Sequence, residues 1–141
     1  MIITGAGGGL GAAHARILAG QGASVIVNDI NVANAQAVVD EITAAGGHAV
    51  VNQSDITSYQ QGLEAVEQAL DTYGDLHAVV NNAGINRDRM FASLEEADWD
   101  AIMAVHLKGH FCITSHAVKY WRDQCKAGKS VDARIINTTS G

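Results

Sequence analysis

The chain has 141 residues, 48% hydrophobic and 17% charged, the size and composition of one globular domain rather than two. Nine Lys and Arg against fifteen Asp and Glu give a formal charge of −6, which argues against a nucleic-acid partner, because phosphate binding calls for a basic patch. No apolar run approaches the roughly 18 residues of a membrane-spanning helix, and the opening MIITGAGGGLG lacks the basic and apolar regions of a secretory signal. The two cysteines, Cys112 and Cys125, form no CxxC pair, so neither a disulfide framework nor a structural zinc is expected, and a reducing, cytoplasmic setting is.

Short β-branched runs alternate with longer helical stretches. Residues 1–4 read as the tail of a strand, and residues 10–21 as a helix stopped by Gly22. Ser24–Asn28 is a run continuous in Val and Ile, then 32–45 is Ala-rich and helical until Gly46-Gly47. His48–Asn52 forms a third strand. Thr57 and Ser58 are candidate N-caps, with Gln60 and Gln61 three residues on, for a helix reaching about Tyr73. Residues 76–81 are a fourth strand, 95–126 one long helix, and 134–138 a fifth strand. Strands without period-two alternation are buried on both faces, as in a parallel sheet covered by helices. Right-handed crossovers then make an α/β fold with a Rossmann-type doubly wound parallel sheet.

The unusual polar residues fall where strands end: Thr4-Gly5, Asp29, Asp55, Asn81-Asn82 and Ser140. Ligands of open α/β sheets bind outside the carboxyl ends of the strands. Glycines in Thr4-Gly5-Ala6-Gly7-Gly8-Gly9-Leu10-Gly11 allow a tight turn into a helix and close approach of a pyrophosphate to its N-terminus. Taken alone, they are also what any flexible strand-to-helix turn would use. No Lys-Ser or Lys-Thr follows, so this is not a triphosphate-binding loop. Asp29, 18 residues beyond Gly11, stands near the place of the acid that holds the adenosine ribose, although Asp29 or Asn31 would also serve to cap the next helix. A carboxylate repels a 2′-phosphate, and no Arg or Lys occurs between Thr4 and His14 or from Asp29 to Gln53, so NAD is expected in preference to NADP. His106 and His110 are i,i+4 neighbours without a glutamate between them, and no metal site is expected.

With Asn81-Asn82-Ala83-Gly84 and Ile135-Ile136-Asn137-Thr138-Thr139-Ser140 added to the glycine turn, the whole chain resembles the short-chain dehydrogenase/reductase family. NNAGINRD, with its Arg87-Asp88, and AVHLKGHF look closest to 3-oxoacyl reductases and to hydroxyacyl-CoA or hydroxysteroid-type dehydrogenases. The resemblance implies that Gly5, Gly8, Gly9, Leu10 and Gly11 line the pyrophosphate, that Asp29 takes the ribose, and that Asp55 and Ile56 flank the adenine. Asn82, Ala83 and Gly84 would run along the middle of the cofactor, and Asn81-Asn82 would also brace the sheet. Ser140 matches the catalytic serine that polarises a substrate carbonyl, with Thr138 and Thr139 as neighbouring hydroxyls. His106 stands where the family has an asparagine whose main chain holds a relay water. It is read either as a titrating relay group or as a histidine on a buried helix face, with Gly109 permitting a helix distortion there.

The family's acid/base is a tyrosine after the serine with a lysine four residues on, and Tyr59, Tyr73 and Tyr120 meet neither condition. The resemblance therefore implies the N-terminal part of a longer enzyme acting on a small-molecule secondary alcohol or ketone, acyl-borne or steroid-like, with no turnover from these 141 residues alone. A non-catalytic dinucleotide-binding module is the alternative. A Rossmann-like methyltransferase would explain the glycine turn and Asp29, but not Asn81-Asn82-Ala83-Gly84 or Ser140. Helix 95–126 carries Trp99, Ile102, Met103, Leu107, Phe111, Val118 and Trp121 on more than one face. One face suits the sheet. The other suits a homodimer or homotetramer, unless a following segment of chain covers it.

Overall fold

The computed structural model describes residues 1–139. Five parallel strands form one sheet in the order β3-β2-β1-β4-β5, where β1 is Ile2–Thr4, β2 Ser24–Asn28, β3 His48–Asn52, β4 Ala78–Asn81 and β5 Arg134–Asn137. Helices α1 (Gly9–Gly20) and α2 (Val32–Ala44) pack on one face, and α3 (Tyr59–Tyr73) with α5 (Gly109–Lys126) on the other. Successive strand residues serve opposite faces. Ile3, Val27 and Val80 meet Ala12, Ala15, Val38 and Ile42, while Ile2, Ile26 and Val79 meet Ala65, Val66, Ile113 and Trp121. Each strand thus reads as continuously apolar because it feeds two cores at once.

Caps follow from side chains. Asn31 accepts from Asn34 N at 3.1 Å and Ser58 from Gln61 N at 3.3 Å, so Asn31 rather than Asp29 caps α2, and Ser58 rather than Thr57 caps α3. Gly74 ends α3 in the left-handed region at φ 77°.

Residues 95–126 are not one uniform helix. Helix α4 (Glu96–Met103) passes through a π-helical turn, Ala104–Lys108, into α5. The Gly109 N–H donates to Ala104 O, five residues back, and a Cβ on Gly109 would meet Ile56 Cδ1 at 2.7 Å. The wider turn therefore brings this glycine against the loop that follows β3. Trp121 is buried on the sheet side, its indole N–H donating to Leu76 O at 2.6 Å, while Leu107, Phe111 and Val118 remain exposed. Strand β5 is the sheet edge and all four of its residues are exposed.

The register aligns the last residues of the strands. Thr4 pairs with Asn28, Asn28 with Asn52 and Asn81 with Asn137. Ile3 pairs with Val80, which puts Thr4 and Asn81 in that same row.

Candidate functional site

The row of polar strand ends is the floor of a cleft. Above it, the chain turns from β1 into α1 through glycines at Gly5 and Gly9, with φ of 60° and 52°, a region that side chains disfavour. A Cβ on Gly5 would lie 2.7 Å from Ala83 Cα, and one on Gly11 would lie 2.3 Å from Gly5 O and 2.6 Å from Asn82 Nδ2. Gly11 is buried behind the turn and acts by letting it close, whereas Gly8 and Gly9 are exposed, with nothing within 4 Å of an added Cβ. Helix α1 begins with no side-chain cap and no acid in its first turn, so its leading amides face the cleft mouth unneutralised.

Two residues that the sequence placed at this strand end without a role of their own hold the turn. Thr4 Oγ1 accepts from Asn82 N and Ala83 N, each at 3.0 Å, and Asn82 Nδ2 returns a bond to Thr4 O at 3.1 Å. Gly7 N donates to Asp29 Oδ2 at 3.0 Å, and a Cβ on Gly7 would sit 2.8 Å from that oxygen. Thr4 carries a sequence signal, a polar residue closing an apolar strand. Gly7 carries none beyond being one more glycine.

Asp29 is half-buried at the end of β2, and its other oxygen accepts from Asn31 N at 2.9 Å. Asp55 Oδ1 accepts from Thr57 N and Thr57 Oγ1, both at 2.8 Å, which directs the loop before α3 and leaves Ile56 buried. A cleft of about 640 Å³ is lined by Gly5, Gly8, Leu10, Asp29, Asn82, Ala83, Gly84 and His106, with Asn34, Ile102, Thr138 and Thr139 also on its walls. A recess of about 210 Å³ adjoins it at Gly5, Asp29, Ala83 and Gly84 and is closed by Asp55, Ile56 and Val105. Neither lining includes a Lys or Arg.

His106 is exposed at the cleft, not on a buried helix face, because the π-helical turn carries it there. Its Nε2 stands 2.8 Å from Ile85 O and 3.1 Å from Ile85 N, and a Cβ on Gly84 would meet its ring at 2.8 Å. His110, next to it, has its imidazole pKa lowered, chiefly by burial and secondarily by His106. No group of three His, Cys, Asp or Glu side chains able to hold a metal occurs among the described residues. Ser140 lies outside the described residues; Thr138, two residues earlier, donates from Oγ1 to Asn82 Oδ1 at 3.4 Å.

A parallel sheet in this order, with an uncapped helix and a glycine turn at its carboxyl edge, defines an α/β protein of Rossmann type. A family model described as short chain dehydrogenase matches residues 1–141. The chain belongs to the short-chain dehydrogenase family. It is 47% identical to the hydroxyacyl-CoA dehydrogenase ChsB1 of Mycobacterium tuberculosis, over 99% of this chain and 46% of that protein. The crystal structure of a short chain dehydrogenase from Mycobacterium avium superposes with a TM-score of 0.96 at 53% identity, over 99% of this chain and 53% of that one. A metagenomic short-chain oxidoreductase in complex with NADP gives a TM-score of 0.86 at 31% identity, over 99% of this chain and 61% of that one. The chain thus spans about half the length of the relatives it matches. Because one solved relative carries NADP, family membership does not make NADP the lesser expectation.

Proposed function

We propose that the cleft binds a nicotinamide dinucleotide, and that the chain is the dinucleotide-binding part of an oxidoreductase passing a hydride between nicotinamide and a secondary alcohol or ketone. The observation that carries this reading is the cradle. Side chains at Gly5, Gly7 or Gly11 would overlap neighbouring atoms, and they stand beside a helix N-terminus without a cap. In this reading Gly5, Gly8, Gly9 and Leu10 offer backbone to the pyrophosphate while Gly11 keeps the turn closed. Asp29 accepts from the adenosine ribose hydroxyls, since one backbone amide on each carboxylate oxygen leaves lone pairs free. Asp55 and Ile56 bound the adenine, and Asn82, Ala83 and Gly84 run along the centre.

The bound nicotinamide supplies the hydride donor or acceptor, and the protein supplies orientation and electrostatics. Ser140 is assigned the hydrogen bond that polarises the substrate carbonyl. His106, through Ile85, holds the backbone beyond Gly84, or relays a proton from the same position. The preference for NAD rests on the Asp29 charge and on linings without Lys or Arg. A hydroxyl on an acyl thioester is the favoured substrate class, on the strength of the relative named a hydroxyacyl-CoA dehydrogenase, with a steroid-like alcohol next. Leu107 and Phe111, 62% and 58% exposed on one face of the long helix, favour a homodimer or homotetramer. Two unpaired cysteines favour the cytoplasm, and no helix among the described residues is long and apolar enough to cross a membrane.

A second reading, a binding module without catalysis, is favoured by the tyrosines. Tyr120 donates to Asp75, Tyr73 points at Val25 O and Tyr59 meets Lys119, and none of them lines the cleft. Nicotinamide fluorescence and a carbonyl-reduction assay on the 141-residue chain test both. Saturable NADH binding without turnover is expected. Failure to bind NADH or NADPH would overturn the dinucleotide site, and steady NADH oxidation with a 3-oxoacyl thioester would overturn both the binding-module reading and the expectation of no turnover from these 141 residues.

A further inference from the structure

We propose that Asn28 and Asn52 are positioning residues that lock the adenosine end of the cleft, an inference that rests on the dinucleotide reading above. Asparagine is a poor strand former, yet four of the five strands end in one, with Thr4 on the fifth. Two residues earlier on the same face stand Ile2, Ile26 and Val79 of the core. The change from aliphatic to amide comes where sheet pairing runs out and loop backbone groups lose their ladder partners.

At Asn28 and Asn52, 2% and 6% exposed, the replacement partners are built in. Asn28 Nδ2 donates to Asn52 Oδ1 at 2.7 Å and to Ser54 O at 2.9 Å. Asn52 Oδ1 also accepts from Ser54 N at 3.2 Å. Asn52 Nδ2 donates to Ser54 Oγ at 3.1 Å and to Gln68 Oε1 at 2.8 Å, and Gln68 Nε2 donates to Val51 O at 2.8 Å. On the main chain, Asp29 N donates to Asn52 O at 3.0 Å.

These bonds join two segments that leave the sheet separately. One carries Asp29 directly after Asn28. The other runs from Asn52 through Ser54 to Asp55 and Ile56. Both line the recess beside the main cleft. The distance between the ribose carboxylate and the adenine-side loop is therefore set by a buried amide pair, with Gln68 of α3 bracing it from outside. The bonds of this pair do not extend to Asn82–Gly84, whose backbone is held by Thr4 and whose own strand-end pair is Asn81 Nδ2 donating to Asn137 Oδ1 at 2.9 Å. The pair thus acts on one half of the dinucleotide.

The test uses the 141-residue chain with Asn28→Ala and Gln68→Ala, the second leaving the Asn28–Asn52 bond itself in place. The readouts are NADH and ADP titrations and residue-resolved amide exchange without ligand. Each variant removes two of these bonds, and the loss is expected to weaken ADP and NADH about tenfold in Asn28→Ala and about threefold in Gln68→Ala, where the direct bond between the two strand ends remains. Exchange is expected to speed up at Asp29 and Ser54–Ile56 and to stay unchanged at Asn82–Gly84. A merely structural role would speed both groups alike. That result, or unaltered ADP affinity in the folded variants, overturns the proposal, and if Asn28→Ala does not fold, Gln68→Ala decides by the same criteria. A wild-type chain that binds neither NADH nor ADP overturns the dinucleotide reading itself, and this proposal with it.

Discussion

Replacing Gly11 with alanine adds one carbon in the first turn of α1, where it would lie 2.3 Å from Gly5 O and 2.6 Å from Asn82 Nδ2. Ordinary contact begins at 3.4 Å, so about 1 Å of movement is required. Neither neighbour moves freely. Gly5 sits at φ 60° against Ala83, and Asn82 is tied to Thr4 by two bonds. Overpacking against backbone costs roughly 1–3 kcal/mol. Alanine in place of glycine in a helix returns about 0.5–1 kcal/mol. The net expectation is a loss of about 1–2 kcal/mol, or a melting temperature lower by roughly 4–8 °C. Gly20→Ala in the same helix is the control, because nothing lies within 4 Å of its added Cβ and only the propensity gain remains. Thermal unfolding followed by tryptophan fluorescence, in which the buried Trp121 reports loss of the core, reads stability, and NADH titration reads the turn. A Gly11→Ala chain as stable as Gly20→Ala, with unaltered NADH affinity, would refute the cradle argument.

Asp29→Asn removes the charge at the ribose end, and the ratio of NADH to NADPH affinity is expected to fall by roughly tenfold or more; an unchanged ratio in paired titrations would remove Asp29 as the selector. Thr4→Val leaves the amides of Asn82 and Ala83 without their shared acceptor, which is expected to cost about 2–4 kcal/mol. Thr4→Ser keeps that acceptor, so urea midpoints that fall equally for both would show that the hydroxyl is not the reason. Burial, and then His106, hold the His110 imidazole below its ordinary value of 6.5. As pH falls through that value the unfolded chain takes up a proton that the folded chain does not, so this contribution to stability is full above it and is lost below it. Denaturant midpoints at about pH 7.5 and about pH 5.5 should differ less in His110→Gln than in the parent, and equal differences would discount His110.

The order of strands and helices was legible from the sequence, because period and punctuation are local. Continuous Val and Ile runs mark strands buried on both faces, and glycines or asparagines mark their ends. The glycine turn, Asp29, Asn82, Ala83 and Gly84 were legible too, since each follows directly on a strand. Position along a strand also tells which end of a parallel sheet a residue occupies. What periodicity cannot report is who meets whom across the sheet. Thr4 clasps Asn82, 78 residues away, only because β1 lies between β2 and β4. Gly7 became a necessary glycine only when Asp29 took its amide. Gly109 marked in sequence where the long helix could distort, but that the wider turn Ala104–Lys108 brings it against Ile56, 53 residues away, is a contact that local helix propensity does not encode. Local sequence determined which residues reach the carboxyl edge, and the register of a five-stranded sheet decided how they hold one another there, because side-chain bonds between distant segments exist only after the strand order is fixed.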